Sequence, residues 1–481
     1  MKKLTARQRL QFLFDFHSFE EVGSAICSRG SYTNGTGDGV ITAFGTINGR
    51  LTFAFSQDVT YIAGTSGMHH CLKIAHLIDL AVQSQSPIVG FLDSGGARIQ
   101  EGVISLDGTA IMARKWAEIS GHIPNITIVC GACAGGSSYA AAISDFNLMV
   151  ENQGYMFLTG PKVVHKALNK TYTFEDLGGA KLHSQLTGLA THVVPNDFEG
   201  IEKIKSLLKF LPQYYDEEKS ISTYEYSNND IIHALDDFIP ADHKQGYDVR
   251  QFIRMLVDDG YFFEVNEDFG TSMVVGFATV GQINIGIIAN QSMILGGAID
   301  VKASQKASRF LEICDAYQIP LVYFADSPGM MPGKEQEENG ILGSGGRYFQ
   351  TQGTSKNPKI TIIMRKLIGG AFGFMGPKGM GIDFNIAFPQ SEIAVVGSDA
   401  ALSVIYERAA LKDSDPETYL KSQIENYKKR FLNPYEAAAE GIIDKVIFPR
   451  ETRLVLIKTL LALQTKRTKK LPKIRNITPM G

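Results

Sequence analysis

No histidine follows His243: all ten lie at or before that position. The second half of the chain therefore reads as histidine-free, which excludes a Ser-His-Asp or Cys-His site built wholly within it. Cysteine is scarce too, at positions 27, 71, 130, 133 and 314, with no secretory disulfide framework. Cys130 and Cys133 form a lone C-x-x-C without the second pair that zinc requires. Cys130 ends an apolar run and Cys133 enters a glycine turn, so both are expected to pack rather than do redox chemistry. No uninterrupted apolar run approaches the ~18 residues of a membrane span. The start, MKKLTARQRLQF, turns polar after two lysines and lacks the apolar core of a signal peptide, so a cytoplasmic protein is expected. Neither G-x-x-x-x-G-K-[ST] nor a strand followed by G-x-G-x-x-G occurs, leaving nucleotide hydrolysis and hydride transfer unsupported.

The composition is that of an ordinary globular protein: 44% hydrophobic and 20% charged over 481 residues, with a net charge of −3. That balance gives no reason to expect nucleic acid or a membrane surface as partner. Only the end is strongly basic, within 458–475, and it reads as a solvated tail.

An internal duplication organises the rest. FLDSGGARIQEG (91–102) and FADSPGMMPGKE (324–335) lie 233 residues apart. Asp93 matches Asp326, Ser94 matches Ser327 and Gly96 matches Gly329. Upstream, FGTING (44–49) matches FATVGQ (277–282). Downstream, PNITIVCGACAGGS (124–137) matches PKITIIMRKLIGGA (358–371) with one inserted residue. The runs 87–93, 125–131, 320–326 and 359–365 are short, apolar and β-branched, as buried parallel strands are. Amphipathic stretches at 68–85 and 298–318 separate them, which predicts α/β architecture from βαβ units. The polar segment 216–230 breaks both periods and reads as a linker, placing domains at 1–228 and 229–481.

Each half thus predicts a strand ending in D-S-x-G and a later strand ending in a glycine pair before a helix. Glycine there permits positive φ and close approach. The helix start leaves N–H groups unpaired at its positive end, suited to a developing oxyanion. Ser94, Ser137 and Ser327 have no local base and are read as caps. His69, His70 and His76 share a predicted helix without H-E-x-x-H, so no metal site is expected.

These residues resemble the carboxyltransferase (β) subunit of biotin-dependent acyl-CoA carboxylases, of the propionyl-CoA carboxylase type. The resemblance runs through LTARQRL (4–10), FSQDVTYIAGTSG (55–67), DSGGARIQEG (93–102), GACAGGSSY (131–139), YMFLTGP (155–161) and DLGGAKLHSQLTG (176–188). It continues in IPADHKQGYDVR (239–250), GIIANQSMILGGAID (286–300), DSPGMMPGKEQE (326–337), IGGAFGFMG (368–376), NPYEAAAEGIIDKVI (433–447) and PRETR (449–453). It implies two tandem crotonase-like domains, in dimers and hexamers, with a site between one protomer's first domain and its partner's second. Gly135 and Gly136 are implied to hold the thioester oxygen of the acyl-CoA as its enolate forms. Gly370 and Ala371 are implied to hold the ureido oxygen of biotin. Gly95, Gly96, Ala97 and Arg98 would line the CoA side, Arg98 as a partner for a carboxylate or phosphate. Phe372 and Gly373 would be substrate-binding, Gly373 at the position that tunes acyl-chain size. In the implied mechanism carboxybiotin releases CO2, the biotin anion removes the α-proton, and the enolate takes up CO2.

No A-M-K-M-type biotinylation sequence and no ATP-grasp segment are present, so biotin is expected on a separate carrier with a biotin carboxylase partner. GILGSGG (340–346) lacks the Arg-His pair of typical members, and Gly373 stands where propionyl-type enzymes carry Asp. Glycine there is expected to admit an acyl group larger than propionyl. Competing readings are a glutaconyl-CoA or methylmalonyl-CoA decarboxylase subunit running the same half-reaction backwards, a crotonase-type hydratase, and a silent scaffold subunit. The hydratase needs paired carboxylates, and Glu101 alone follows the first turn.

Overall fold

A computed structural model describes residues 3–29, 37–218, 222–397 and 415–466, which leaves the basic end from 467 outside the described residues. Contacts divide the chain into two compact units, Met1–Glu218 and Lys219–Gly481. Residues 222–230 of the polar stretch are fastened to the second unit. Ser222 N–H donates to Gln464 Oε1 at 2.6 Å, and Arg453 pairs with the buried Asp230 at 3.3 Å.

The first unit is built on strands β1 (Glu20–Val22), β2 (Val40–Ile47), β3 (Arg50–Gln57), β4 (Ile88–Ser94), β5 (Asn125–Ala134), β6 (Phe146–Val150), β7 (Tyr155–Phe157) and β8 (His192–Val194). They order as β1-β2-β3-β4-β5-β6-β8, with β7 paired to the end of β5. The second has β9 (Phe262–Val265), β10 (Met273–Val280), β11 (Ile283–Asn290), β12 (Leu321–Ser327), β13 (Lys359–Ile368), β14 (Phe384–Ala387), β15 (Glu392–Ala394) and β16 (Lys445–Val446). Their order, β9-β10-β11-β12-β13-β14-β16 with β15 on β13, repeats the first. An antiparallel hairpin (β2–β3, β10–β11) leads in each unit to parallel strands. The four apolar runs are β4, β5, β12 and β13, and every residue of β4 and β12 is buried.

The crossover helices fall at Met68–Gln83 and Val301–Ala316, 16 residues each. In the first, Cys71, Ile74, Leu77, Ile78 and Ala81 form the buried face, packed with Phe55, Leu92 and Trp116. In the second unit Phe252, from the helix Val249–Leu256, packs in a core cluster with Ile287, Val322, Phe324, Ile360 and Ile362 of the sheet. The duplication reaches polar detail. Lys73 Nζ donates to Val40 O at 2.6 Å, and its repeat counterpart Lys306 donates to Met273 O at 2.7 Å. Burial pushes these amines down to about 8 and about 7.

Both units break their central pairing at the same place. The β4–β5 register shifts between Leu92 and Ser94, and the β12–β13 register between Ala325 and Ser327. Beyond the shift β5 leaves β6 and pairs with β7, just as β13 leaves β14 for β15. Past the irregularity the ends of β5 and β13 run on, still paired, to their glycine pairs.

Candidate active site

The Asp of each D-S-x-G turn is an internal anchor. Asp93 sits 3.3 Å from Arg9 and 2.7 Å from Lys3. Arg9 also binds Asp197 at 2.9 Å. Asp326 pairs with the buried Arg365 at 3.0 Å, around which the loop 239–250 wraps: Gln245 O accepts from the guanidinium at 2.8 Å. The Ser94 and Ser327 hydroxyls accept from the N–H of Gly96 and Gly329 at 3.2 and 3.3 Å. They close turns, as expected of residues without a base.

The glycine pairs follow. Gly135 has φ 59°, ψ −125° before the helix Gly136–Ile143, and Gly369 has φ 57°, ψ −133° before Gly370–Phe374. This conformation belongs to glycine. The N–H of Gly135 is engaged by Phe157 O and Leu158 O at 3.3 and 3.2 Å, and that of Gly369 by Ala394 O at 3.0 Å. The next two N–H groups, Gly136 with Ser137 and Gly370 with Ala371, stand at the first helical positions, where no intrahelical acceptor exists. The geometry thus corrects one expectation: Gly135 shapes the first turn while its own N–H is occupied, and Ser137 stands where Gly135 was expected.

Gly95–Arg98 lie beside the first turn. A Cβ on Gly96, whose φ is 97°, would meet Ala134 O at 3.4 Å. Ser66 N–H donates to Gly96 O and Arg98 N–H to Ser66 O, at 2.8 and 3.0 Å. Gly95 is exposed and Ala97 half-buried. Arg98 departs from expectation. Its side chain is 2% exposed, held by Asp38, by Glu101 Oε1 at 2.9 Å and by Thr65 O at 2.8 Å. A guanidinium so buried and so engaged braces the turn. Glu101 is likewise occupied, its Oε2 accepting the Met68 N–H at 2.8 Å.

Sequence reasoning passed over a bridge behind the first turn. Gln57 Oε1 accepts the Asp93 N–H at 3.0 Å, while its amide nitrogen lies 3.2 Å from His70 Nε2 and donates to Ser137 Oγ at 3.4 Å. His70 is fully buried, its Nδ1 3.0 Å from Asp38 O. Burial, with Arg98 and Lys73 nearby, pushes the imidazole down to about 4 against the pull of Asp38. It is therefore neutral near pH 7, donating from Nδ1 and accepting at Nε2. Because the unfolded group titrates near 6.5, its stabilisation is present above that pH and is lost as pH falls toward 4. Unfolding free energy should drop by on the order of 2 kcal/mol from this group between pH 7 and 5. Denaturant midpoints should show a shallower slope in His70→Asn over that range; an equal slope refutes the assignment.

Two other expectations change. His233 and His243 fall inside the second unit, so histidine scarcity does not exclude an imidazole there. His243 Nδ1 lies 3.3 Å from Glu392 Oε2, with Lys366 Nζ on His243 O at 2.9 Å, fixing the 239–250 loop to β13 and β15. The space beside Gly373 is not open either: a Cβ there would meet Phe349 Cε1 at 2.8 Å. Phe372 lines a cavity of about 470 Å³ with Gly369, Ile393, Val395, Glu436 and Ile442. The motif at 433–447 thereby finds a place, with Asn433 capping its helix. Cys130 and Cys133 are fully buried, which raises both thiols far above the usual range, as for packing residues.

Residues 1–477 match the carboxyl transferase domain family. The propionyl-CoA carboxylase beta chain of Cereibacter sphaeroides is 39% identical over 97% of this chain and 91% of its own length. The methylmalonyl-CoA decarboxylase subunit alpha of Veillonella parvula is 38% identical over 99% and 93%. Among solved structures, the transcarboxylase 12S hexamer with methylmalonyl-coenzyme A and methylmalonic acid bound superposes with a TM-score of 0.96. It is 38% identical, over 99% of this chain and 92% of that one. Both units have the crotonase-like fold. The duplicated sheets, the paired glycine turns and these likenesses agree: the chain belongs to the carboxyl transferase domain family and is a carboxyltransferase.

Proposed function

We propose that the chain moves a carboxyl group between biotin on a separate carrier protein and the α-carbon of a short-chain acyl-CoA. One observation carries this reading: a single backbone turn is built twice, with φ and ψ within about ten degrees, ahead of a helix in both units. In the first unit the N–H groups of Gly136 and Ser137 receive the thioester oxygen as charge develops on loss of the α-proton. Gly95, Gly96 and Ala97 line the CoA side. In the second unit Gly370 and Ala371 receive the ureido oxygen of biotin. The exposed Gly370 beside the cavity of about 470 Å³ leaves room for such a group. Carboxybiotin, when bound, supplies the CO2. Each donor lost from such a cradle typically costs about 3–4 kcal/mol of transition-state stabilisation.

A biotin carboxylase and its carrier are the partners this chemistry needs, in the cytoplasm. Among the described residues no helix is long and apolar enough to cross a membrane. Homo-oligomerisation, as a dimer or hexamer, is supported by apolar side chains left open: Ile99 is 89% exposed and Val395 83%. Transfer of labelled carboxyl from malonyl-CoA or methylmalonyl-CoA to free biotin tests the reading. Saturable transfer is expected, and its absence with both donors would leave a silent subunit. The likeness to the Veillonella parvula decarboxylase subunit favours a second direction for the same half-reaction. Co-purification with a membrane decarboxylase subunit rather than a biotin carboxylase would decide for it.

A further inference from the structure

Gly373 lies three residues after the second turn, and what stands beside it comes from another element. The helix Ile341–Thr354 runs past the short helix Gly370–Phe374 and is locked to it. Tyr348 stacks on Phe374 with centroids 3.6 Å apart and planes 7° from parallel. Gln352 Nε2 donates to Phe374 O at 3.2 Å. On the outer side Arg347 forms a two-pronged pair with Glu312, at 3.0 and 2.9 Å. Phe349, between these anchors, is thereby held with its ring edge over Gly373. A Cβ at 373 would lie 2.8 Å from Cε1 and 3.0 Å from Cζ. Met330 closes the neighbouring side, its Cγ 2.9 Å from where a Cβ on Gly370 would be. Both Phe349 and Met330 are half-buried, and each lies against a glycine of the helix Gly370–Phe374.

Carboxyl transfer requires the acyl α-carbon to approach the group held at Gly370 and Ala371, so the side walls of that cradle also bound the acyl chain. We infer that Phe349 is a specificity-determining residue, whose ring limits the substrate to compact apolar acyl groups such as acetyl and propionyl. This rests on the function proposed above. It reverses the expectation drawn from Gly373 alone, because the volume a side chain at 373 would take is supplied from the helix opposite.

The test compares carboxyl transfer to free biotin from malonyl-, methylmalonyl-, ethylmalonyl- and butylmalonyl-CoA in the full-length protein. The wild type should prefer the first two. Phe349→Ala should raise the butylmalonyl to methylmalonyl ratio of kcat/KM by about tenfold or more, the discrimination that added methylenes carry in an apolar pocket. Phe349→Leu should fall between, and serves the same comparison should the alanine variant not fold. Gly373→Ala should lower transfer of every donor by displacing the ring, and Phe349→Ala added to it should restore transfer. An active Phe349→Ala enzyme with an unchanged ratio, or a wild type that already uses butylmalonyl-CoA well, overturns the inference. A wild type inactive with all four donors overturns the functional reading itself.

Discussion

Alanine at Gly135 or Gly369 is expected to lower kcat for carboxyl transfer by about two to three orders of magnitude in a protein that still folds. Neither residue needs to touch substrate for this to happen. With φ near 58° and ψ near −130°, they hold conformations a Cβ resists, at about 1–3 kcal/mol each. Space is not the obstacle at Gly135, where nothing lies within 4 Å of an added Cβ; at Gly369 the nearest atom is Val395 O at 3.2 Å. The strain is therefore relieved by rotating the peptide that follows, which carries the N–H of Gly136 or Gly370. Losing one such donor's aim is comparable with removing it. The neighbouring positions fail for a different reason. A Cβ on Gly136 would lie 2.1 Å from Thr109 Cγ2, so Gly136→Val should abolish transfer by steric conflict, and Thr109→Ser should relieve part of it. Exchange kinetics, with circular dichroism and oligomeric state as folding controls, measure all of these. Undiminished kcat in folded Gly135→Ala and Gly369→Ala would remove the turns from the mechanism.

The largest effect on stability is expected at Arg98. Its guanidinium separates two buried carboxylates, Asp38 with no exposure and Glu101 with 8%. Methionine keeps much of the side-chain volume yet removes the ion-pair partner of both carboxylates, a change that typically costs about 3–5 kcal/mol. The cost should spread, since Glu101 also caps the helix Met68–Gln83 and Arg98 ties Thr65 to the first turn. Asp38→Asn added to Arg98→Met should recover part of the loss by removing one stranded charge. Denaturant unfolding of the three variants measures this. A loss below about 1 kcal/mol for Arg98→Met would show that water reaches the network and screens it.

Arg98 also illustrates where sequence stops. D-S-G-G-A-R invites an anion-binding arginine, and nothing local distinguishes that from a brace. The answer depends on Asp38, 60 residues earlier, just ahead of β2. His70 is similar: its spacing in the helix excludes a metal motif but does not reveal that Gln57 links it to Ser137. In the first turn the N–H of Gly135 is already taken by the carbonyls of Phe157, at the end of β7, and Leu158, the residue after it.

By itself the sequence determined the duplicated α/β architecture, the four buried central strands, the two glycine turns and the family. All of these are written in apolar periodicity and in residues near one another in the chain. Only the tertiary structure decided which N–H groups remain available, that Arg98 is a brace, and that Phe349 fills the place beside Gly373. Each of those outcomes depends on atoms brought into contact from distant segments, and a pattern along the chain carries no information about which of them meet.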